Sequence, residues 1–273
     1  MASRASSVVK AAAASVDLLR RPPPGLVVLI YHRVGRRTAV EVDLPVELFE
    51  EQIVFLADAC RVVTLEEGLR LAASPPADET EAETVVAVTF DDGTADFAEV
   101  AVPVLAKHRV PATLYVATRY VEEHQPFPDD GRPASWAALR DALSSGIVAI
   151  GSHTHSHVLL DRVSGTVAAD DLDRSISLIG DRLGVSPAHF AYPKAVLGCP
   201  DAQAAVRARF RSAAVAGTRP NRFGATDPYR LARSPVQVRD GMRWFTRKAR
   251  GGLELEDRLR RVLNRGRYRN ATT

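Results

Sequence analysis

Three observations predict a single α/β domain of the (β/α)-barrel kind. Strand-sized apolar runs alternate with helix-patterned segments along most of the 273 residues, as expected of parallel strands covered by helices. Residues suited to chemistry stand just after those runs, where barrel enzymes gather their sites. No internal repeat or interdomain linker breaks the alternation. A 46% hydrophobic content is ample for the core such a domain needs,.

The elements follow in order. Residues 1–24 read as a flexible start, ending in Pro22-Pro23-Pro24-Gly25,. Leu26 to Tyr31 (LVVLIY) is a strand that delivers His32-Arg33 at its exit. Pro45 to Ala59 places Phe49, Ile53, Leu56 and Ala57 at helical spacing, Arg61 to Thr64 is a short strand, and Leu65 to Ala73 is a helix,. Ser74 to Thr84, rich in prolines and acids, is a surface loop. Val85 to Phe90 is the central strand, because a continuous run of β-branched and apolar residues fits burial on both faces. A helix over 95–108 and a strand over 111–117 follow. Thr118 to Pro133 is long, polar and punctuated, a loop expected to border a site,. Ser135 caps a helix carrying Trp136, Leu139 and Leu143, then Ile147 to Ser152 is a strand. Helix 166–183, strand 189–192, helix 202–211, strand 212–216 and an extended segment 229–238 complete the domain, whose bounds are set at 25–242.

The termini and charge bound the function classes. Arg4, Lys10 and Asp17 with a weak apolar stretch make a poor signal peptide, and no run nears the roughly 18 apolar residues of a membrane span, so a cytoplasmic location is expected,. Cys60 and Cys199 are too few for a disulfide framework and lack metal-binding spacing,. Net charge is +3, yet residues 243–273 hold ten Lys/Arg against three Asp/Glu, a local +7 that leaves the rest at −4. This basic stretch reads as a terminal helix packed on the domain, or as a tail drawn to anionic lipid or phosphate. No nucleic-acid partner is expected.

Two stretches carry the chemistry. The strand VVAVTF ends in Asp91-Asp92-Gly93, and adjacent carboxylates at the mouth of a low-dielectric core serve a metal or a proton transfer; the competing reading is a turn with a helix cap. His153-Thr154-His155-Ser156-His157 follows the next strand but one. His153 and His157 share a face if the segment turns helical; His153 and His155 do so if it stays extended. The helical pairing is favoured because the strand pattern ends at Ser152. Two imidazoles and a carboxylate suit a catalytic divalent metal, zinc first, with cobalt, nickel or manganese as alternatives.

TFDDG (Thr89 to Gly93), SHTHSH (Ser152 to His157), FAYP (Phe190 to Pro193) and YHRV (Tyr31 to Val34) together resemble the polysaccharide deacetylase, or NodB-homology, family, carbohydrate esterase family 4. The resemblance implies a distorted, seven-stranded (β/α) barrel and metal-dependent removal of an acyl group, usually N-acetyl from an amino sugar of a polysaccharide or glycoconjugate. It implies Asp91 as general base and Asp92, His153 and His157 as metal ligands, and leaves His155 beside the ligand shell or in solvent. The backbone N–H of Lys194 matches the oxyanion donor. The acid histidine of the commoner members, near the C-terminus in a Leu-x-His context, has no counterpart after Tyr192; similar, circularly permuted members use a Tyr-His pair, which Tyr31-His32 fits. His32 is therefore the expected acid.

Two departures matter. No arginine precedes Pro193, so the base is expected to lack that partner, and Lys194 replaces the usual aromatic or glycine. Tyr192 and Lys194 are the candidate substrate contacts, the first by stacking and the second by binding an anionic substituent. The same metal chemistry on an O-acetyl ester or a cyclic amide, and a non-catalytic carbohydrate-binding relative, are the alternatives. A serine esterase lacks its Gly-x-Ser-x-Gly elbow here, and an aspartyl-phosphate enzyme lacks its Asp-x-Asp.

Overall fold

The computed structural model describes residues 22–74 and 83–254. The flexible start, most of the 74–84 loop and residues 255–273 of the basic stretch lie outside them. In chain order the strands are β1 (Gly25–Tyr31), β2 (Arg33–Val34), β3 (Asp43–Leu44), β4 (Arg61–Val62), β5 (Val85–Phe90), β6 (Ala112–Val116), β7 (Val148–Ser152), β8 (His189–Ala191), β9 (Ser212–Ala216), β10 (Asn221–Arg222) and β11 (Leu231–Pro235). The helices are α1 (Val46–Ala59), α2 (Leu65–Ala73), α3 (Val102–His108), α4 (Thr118–Glu122), α5 (Trp136–Ser144), α6 (Gly165–Leu183), α7 (Pro200–Arg209) and α8 (Gly241–Ala249).

Seven parallel strands close a barrel in the order β1, β5, β6, β7, β8, β9, β11, as the sequence predicts. Closure falls to β1, which pairs with β5 along Leu26 to Tyr31 and with β11 at Val28 to Ile30. The short β4 and antiparallel β10 sit outside the ring on β5 and β1. Every residue of β1 and β5 is buried, because alternate side chains serve two cores,. Leu26, Val28, Val85, Ala87, Tyr115, Ala191, Ala214 and Leu231 fill the barrel interior. Val27, Leu29, Val86 and Val88 face outward onto Phe49, Ile53 and Leu56 of α1.

Three elements differ from the sequence reading. The helix expected over 95–108 opens as a π-helical turn, Phe97–Ala101, before α3. Pro103 has no N–H to donate and its ring crowds the preceding turn, so the regular ladder slips there. The loop over 118–133 is structured: it begins as α4, buries Phe127 against Tyr120 at 4.3 Å between centroids, and is held by Arg33, whose Nη1 donates to the Asp129 carbonyl at 2.9 Å. The boundary at 242 falls inside α8, whose Phe245 is buried in the main core and meets Phe55 edge to face. That part of the basic stretch is a packed helix, and its Lys248 is buried, donating to Asp240 and to the Pro235 carbonyl, each at 2.6 Å. Cys60 and Cys199 are both free thiols. Among the described residues no helix is long and apolar enough to cross a membrane.

Gly151 of β7 leaves room for the Tyr115 ring inside the barrel. A Cβ at Gly151 would stand 2.5 Å from Tyr115 Cδ1 and 2.9 Å from the His189 carbonyl oxygen. Gly151→Ala should therefore cost about 1–3 kcal/mol through overpacking, read as a lower urea midpoint with an unchanged slope.

Candidate active site

The site is built at the C-terminal ends of β1, β5, β7 and β8. Asp91 leaves β5 buried, at 4% exposure, and its backbone N–H still bonds the Tyr31 carbonyl of β1. Asp92 then takes a left-handed φ of +76° and Gly93 one of +99°. This sharp reversal sends the two neighbouring carboxylates to different partners.

The partner of Asp91 is Arg233, on β11. Arg233 Nη1 donates to Asp91 Oδ1 at 2.6 Å and Nη2 donates to Oδ2 at 2.9 Å, a bidentate pair in which the arginine is fully buried,. Burial alone would push the Asp91 carboxyl up; Arg233, aided by His153 and His32, overcomes it and holds the group well below the ordinary carboxylate range. The expectation that the base lacks an arginine is thus corrected: the guanidinium arrives from a different strand. The Asp91 side chain therefore bonds across the barrel to Arg233 rather than capping a helix, although its carbonyl does accept from Gly93 N–H in a turn. The available signal was a lone arginine in the otherwise apolar run Leu231-Ala232.

Asp92, His153 and His157 converge, with one ligand atom from each inside a 4.8 Å group. Asp92 Oδ1 lies 3.7 Å from His153 Nε2 and 3.5 Å from His157 Nε2. Donors about 2.0–2.2 Å from one tetrahedral ion stand about 3.4 Å apart, so the spacing fits a shared divalent cation. His153 Nδ1 donates to the Ala191 carbonyl at 2.7 Å, which leaves the Nε2 lone pair facing the cluster,. Burial, and then His153, push the His157 imidazole down to about 4, so it stays neutral and able to ligate. The two histidines do not meet on a helical turn as the sequence reading favoured. The segment is an irregular loop in which Thr154 and His157 are both left-handed, with φ of +70° and +58°.

The remaining expected residues divide. His32 leaves β1 beside Asp91, half-buried, and its Nδ1 has no hydrogen-bond partner. His155 is buried away from the cluster with Nδ1 3.0 Å from Thr118 Oγ1, which rules out its solvent-exposed alternative. Lys194 is exposed, left-handed at φ +55°, and close enough for its ammonium to act on His157. Tyr192 is only 1% exposed and packs edge to face on Phe190, so it is a core residue and offers no open face for stacking. A ring that does border the cluster, Tyr120, stands 6.2 Å from His157 between centroids. A cavity of about 470 Å³, lined in part by Arg219, Arg222 and Arg230, lies at the opposite end of the barrel beside β10 and contains none of these residues.

Residues 78–211 match the family model for polysaccharide deacetylase. Over this segment the chain is similar to the polysaccharide deacetylase family. Among solved structures it resembles IcaB from Ammonifex degensii, with a TM-score of 0.73 at 26% identity over 84% of this chain and 99% of that one. The Streptococcus pyogenes deacetylase PplD in complex with acetate gives 0.72 at 21% identity, over 83% and 99%. A de-N-acetylase from Aggregatibacter actinomycetemcomitans gives 0.67 at 19%, over 82% and 99%. No curated protein matches the chain. The strand-exit residues Asp91, Asp92, His153 and His157, on which the sequence resemblance rests, are brought together by the barrel.

Arg233→Met leaves Asp91 buried without its cation and should destabilise the fold by about 3–5 kcal/mol at neutral pH. Asp91 has its folded pKa depressed, so the pair's contribution is present above pH about 4 and is lost as pH falls through the folded value. The deficit of the variant should shrink on acidification, as its unpaired Asp91 protonates. Urea denaturation of both proteins across pH measures this.

Proposed function

We propose that the chain is a metal-dependent hydrolase that removes the N-acetyl group from an amino sugar in a polysaccharide or glycoconjugate. The observation that carries the reading is the placement of Asp91, kept ionised by Arg233, with Oδ2 3.9 Å from His153 Nε2 in the three-donor cluster. Asp92, His153 and His157 would hold the ion, zinc first, with cobalt, nickel or manganese as alternatives. When bound, such an ion polarises the acyl carbonyl and lowers the pKa of a nearby water.

The chain's own groups supply the proton steps. Asp91 accepts the proton from the attacking water; Arg233 keeps it anionic and fixes both oxygens in place,. The backbone N–H of Lys194 is the proposed donor to the developing oxyanion. His32, which leaves β1 beside Asp91, is the proposed donor of the proton to the leaving amine,. An amine needs such protonation more than an alcohol does, which favours amide over ester. The deacetylase and de-N-acetylase among the structural relatives share the fold, and these side chains carry the reaction.

Acetate release from N-acetylglucosamine oligomers, O-acetylated sugars and nucleotide-linked N-acetyl sugars, using metal-stripped protein restored with zinc, cobalt or nothing, tests the reading. Metal-dependent acetate from an N-acetyl substrate is the expected result; activity without metal would end it. His153→Ala and Asp92→Ala should abolish both metal retention and turnover. Asp91→Asn should retain the metal while losing about 10²–10⁴-fold in rate. His32→Ala should slow amide hydrolysis far more than ester hydrolysis, and equal losses on both would reassign the acid.

A further inference from the structure

The loop that carries His153 and His157 lies past the end of β7, where no ladder supports its backbone. Only its first amide is held by a strand neighbour, His153 N–H bonding the Val116 carbonyl at 3.0 Å. The next four amides are all satisfied by side-chain oxygens. Thr154 N–H donates to Ser152 Oγ at 3.2 Å, and His157 N–H to Thr154 Oγ1 at 2.9 Å. Between them, His155 N–H donates to Asp171 Oδ1 at 2.7 Å and Ser156 N–H to Asp171 Oδ2 at 3.1 Å. The Ser156 hydroxyl also donates to Asp171 Oδ2.

Asp171 sits on α6, which contributes nothing to the cluster itself. One turn further along the same face, the buried Ser175 shares a 2.8 Å hydrogen bond with Ser152 Oγ. Residues four apart on a helix share a face, so α6 presents a two-point polar edge to the loop. The loop needs such support: Thr154 and His157 are non-glycine residues in the left-handed region, a strain that their surroundings must offset,. Without Asp171 two buried or half-buried amides lose their acceptor and the strained residues are free to relax.

We propose that Asp171, seconded by Ser175, is a positioning residue that holds His153 and His157 at the separation a divalent ion requires; this rests on the metal-binding reading above. Outer groups that orient metal ligands typically change metal affinity by about 10–100-fold when removed. Asp171→Asn keeps the shape but exchanges one acceptor oxygen for an NH₂ that faces a backbone donor.

The test titrates cobalt(II) into the metal-stripped full chain, following affinity by calorimetry and ligand geometry by the visible absorption band. Asp171→Asn should weaken cobalt binding by about 10–100-fold and alter the band, while Asp171→Glu, which keeps two acceptor oxygens, should recover part of the affinity. If Asp171→Asn does not fold, Ser175→Ala gives the same readout with a smaller expected loss. Wild-type affinity and an unchanged band in a folded variant would overturn the proposal. Absence of cobalt binding by the wild-type chain would overturn the metal reading itself, and this inference with it.

Discussion

A carboxylate and a guanidinium, locked together inside a closed barrel, fix much of what surrounds them. Asp91 and Arg233 are 4% and 0% exposed, so neither charge has enough water to stand alone,. Their bidentate contact joins β5 to β11, strands that flank β1 on either side, and so crosses behind the strand that closes the ring. The interior below is apolar, with Tyr115 packed under the guanidinium at 5.1 Å from its ring centroid. Above the pair, the chain turns out of β5 and the polar cluster begins. The ion pair thus marks the level at which an apolar core ends and the polar cluster starts.

The division of labour between adjacent aspartates follows from backbone geometry. A strand alternates its side chains between two faces, so consecutive residues part company once the strand ends. Asp91 keeps the strand's direction and points to Arg233. Asp92, left-handed, faces His153 and His157. One carboxylate is neutralised by a permanent cation, which weakens the repulsion it exerts on its neighbour,.

Much of this was legible in the sequence because it follows from local pattern. Continuous apolar runs over 26–31 and 85–90 gave the buried strands, since a parallel strand covered on both faces has no polar alternation to show. The strand exits gave Asp91, Asp92, His153 and His157, which the structure gathers. What stayed hidden depends on contacts between distant residues. Arg233 lies 142 positions from Asp91, and no local rule links them. The curl that unites His153 and His157 needs left-handed Thr154 and His157, held by Asp171 and Thr154 Oγ1; spacing alone suggested a helical turn instead. Tyr192 looked available for stacking because aromatics often border sugar sites, yet Phe190 and its neighbours enclose it. Pro103 was visible, but its effect is a shift of the hydrogen-bond ladder rather than an end to the helix.

The pairing of β1 with β5 has a temporal side. These strands meet across some sixty residues of sequence, Leu29 opposite Val88 and Tyr31 opposite Phe90, and β11 must arrive from far later in the chain to complete the ring. Contacts of such separation form late, because the entropy of closing long loops must be met before they are rewarded. His32 rides on β1, Asp91 on β5 and Arg233 on β11, so the three are strangers in any partly assembled chain. The nascent or misfolded protein therefore lacks this grouping, and the three side chains become neighbours only at the moment the ring shuts.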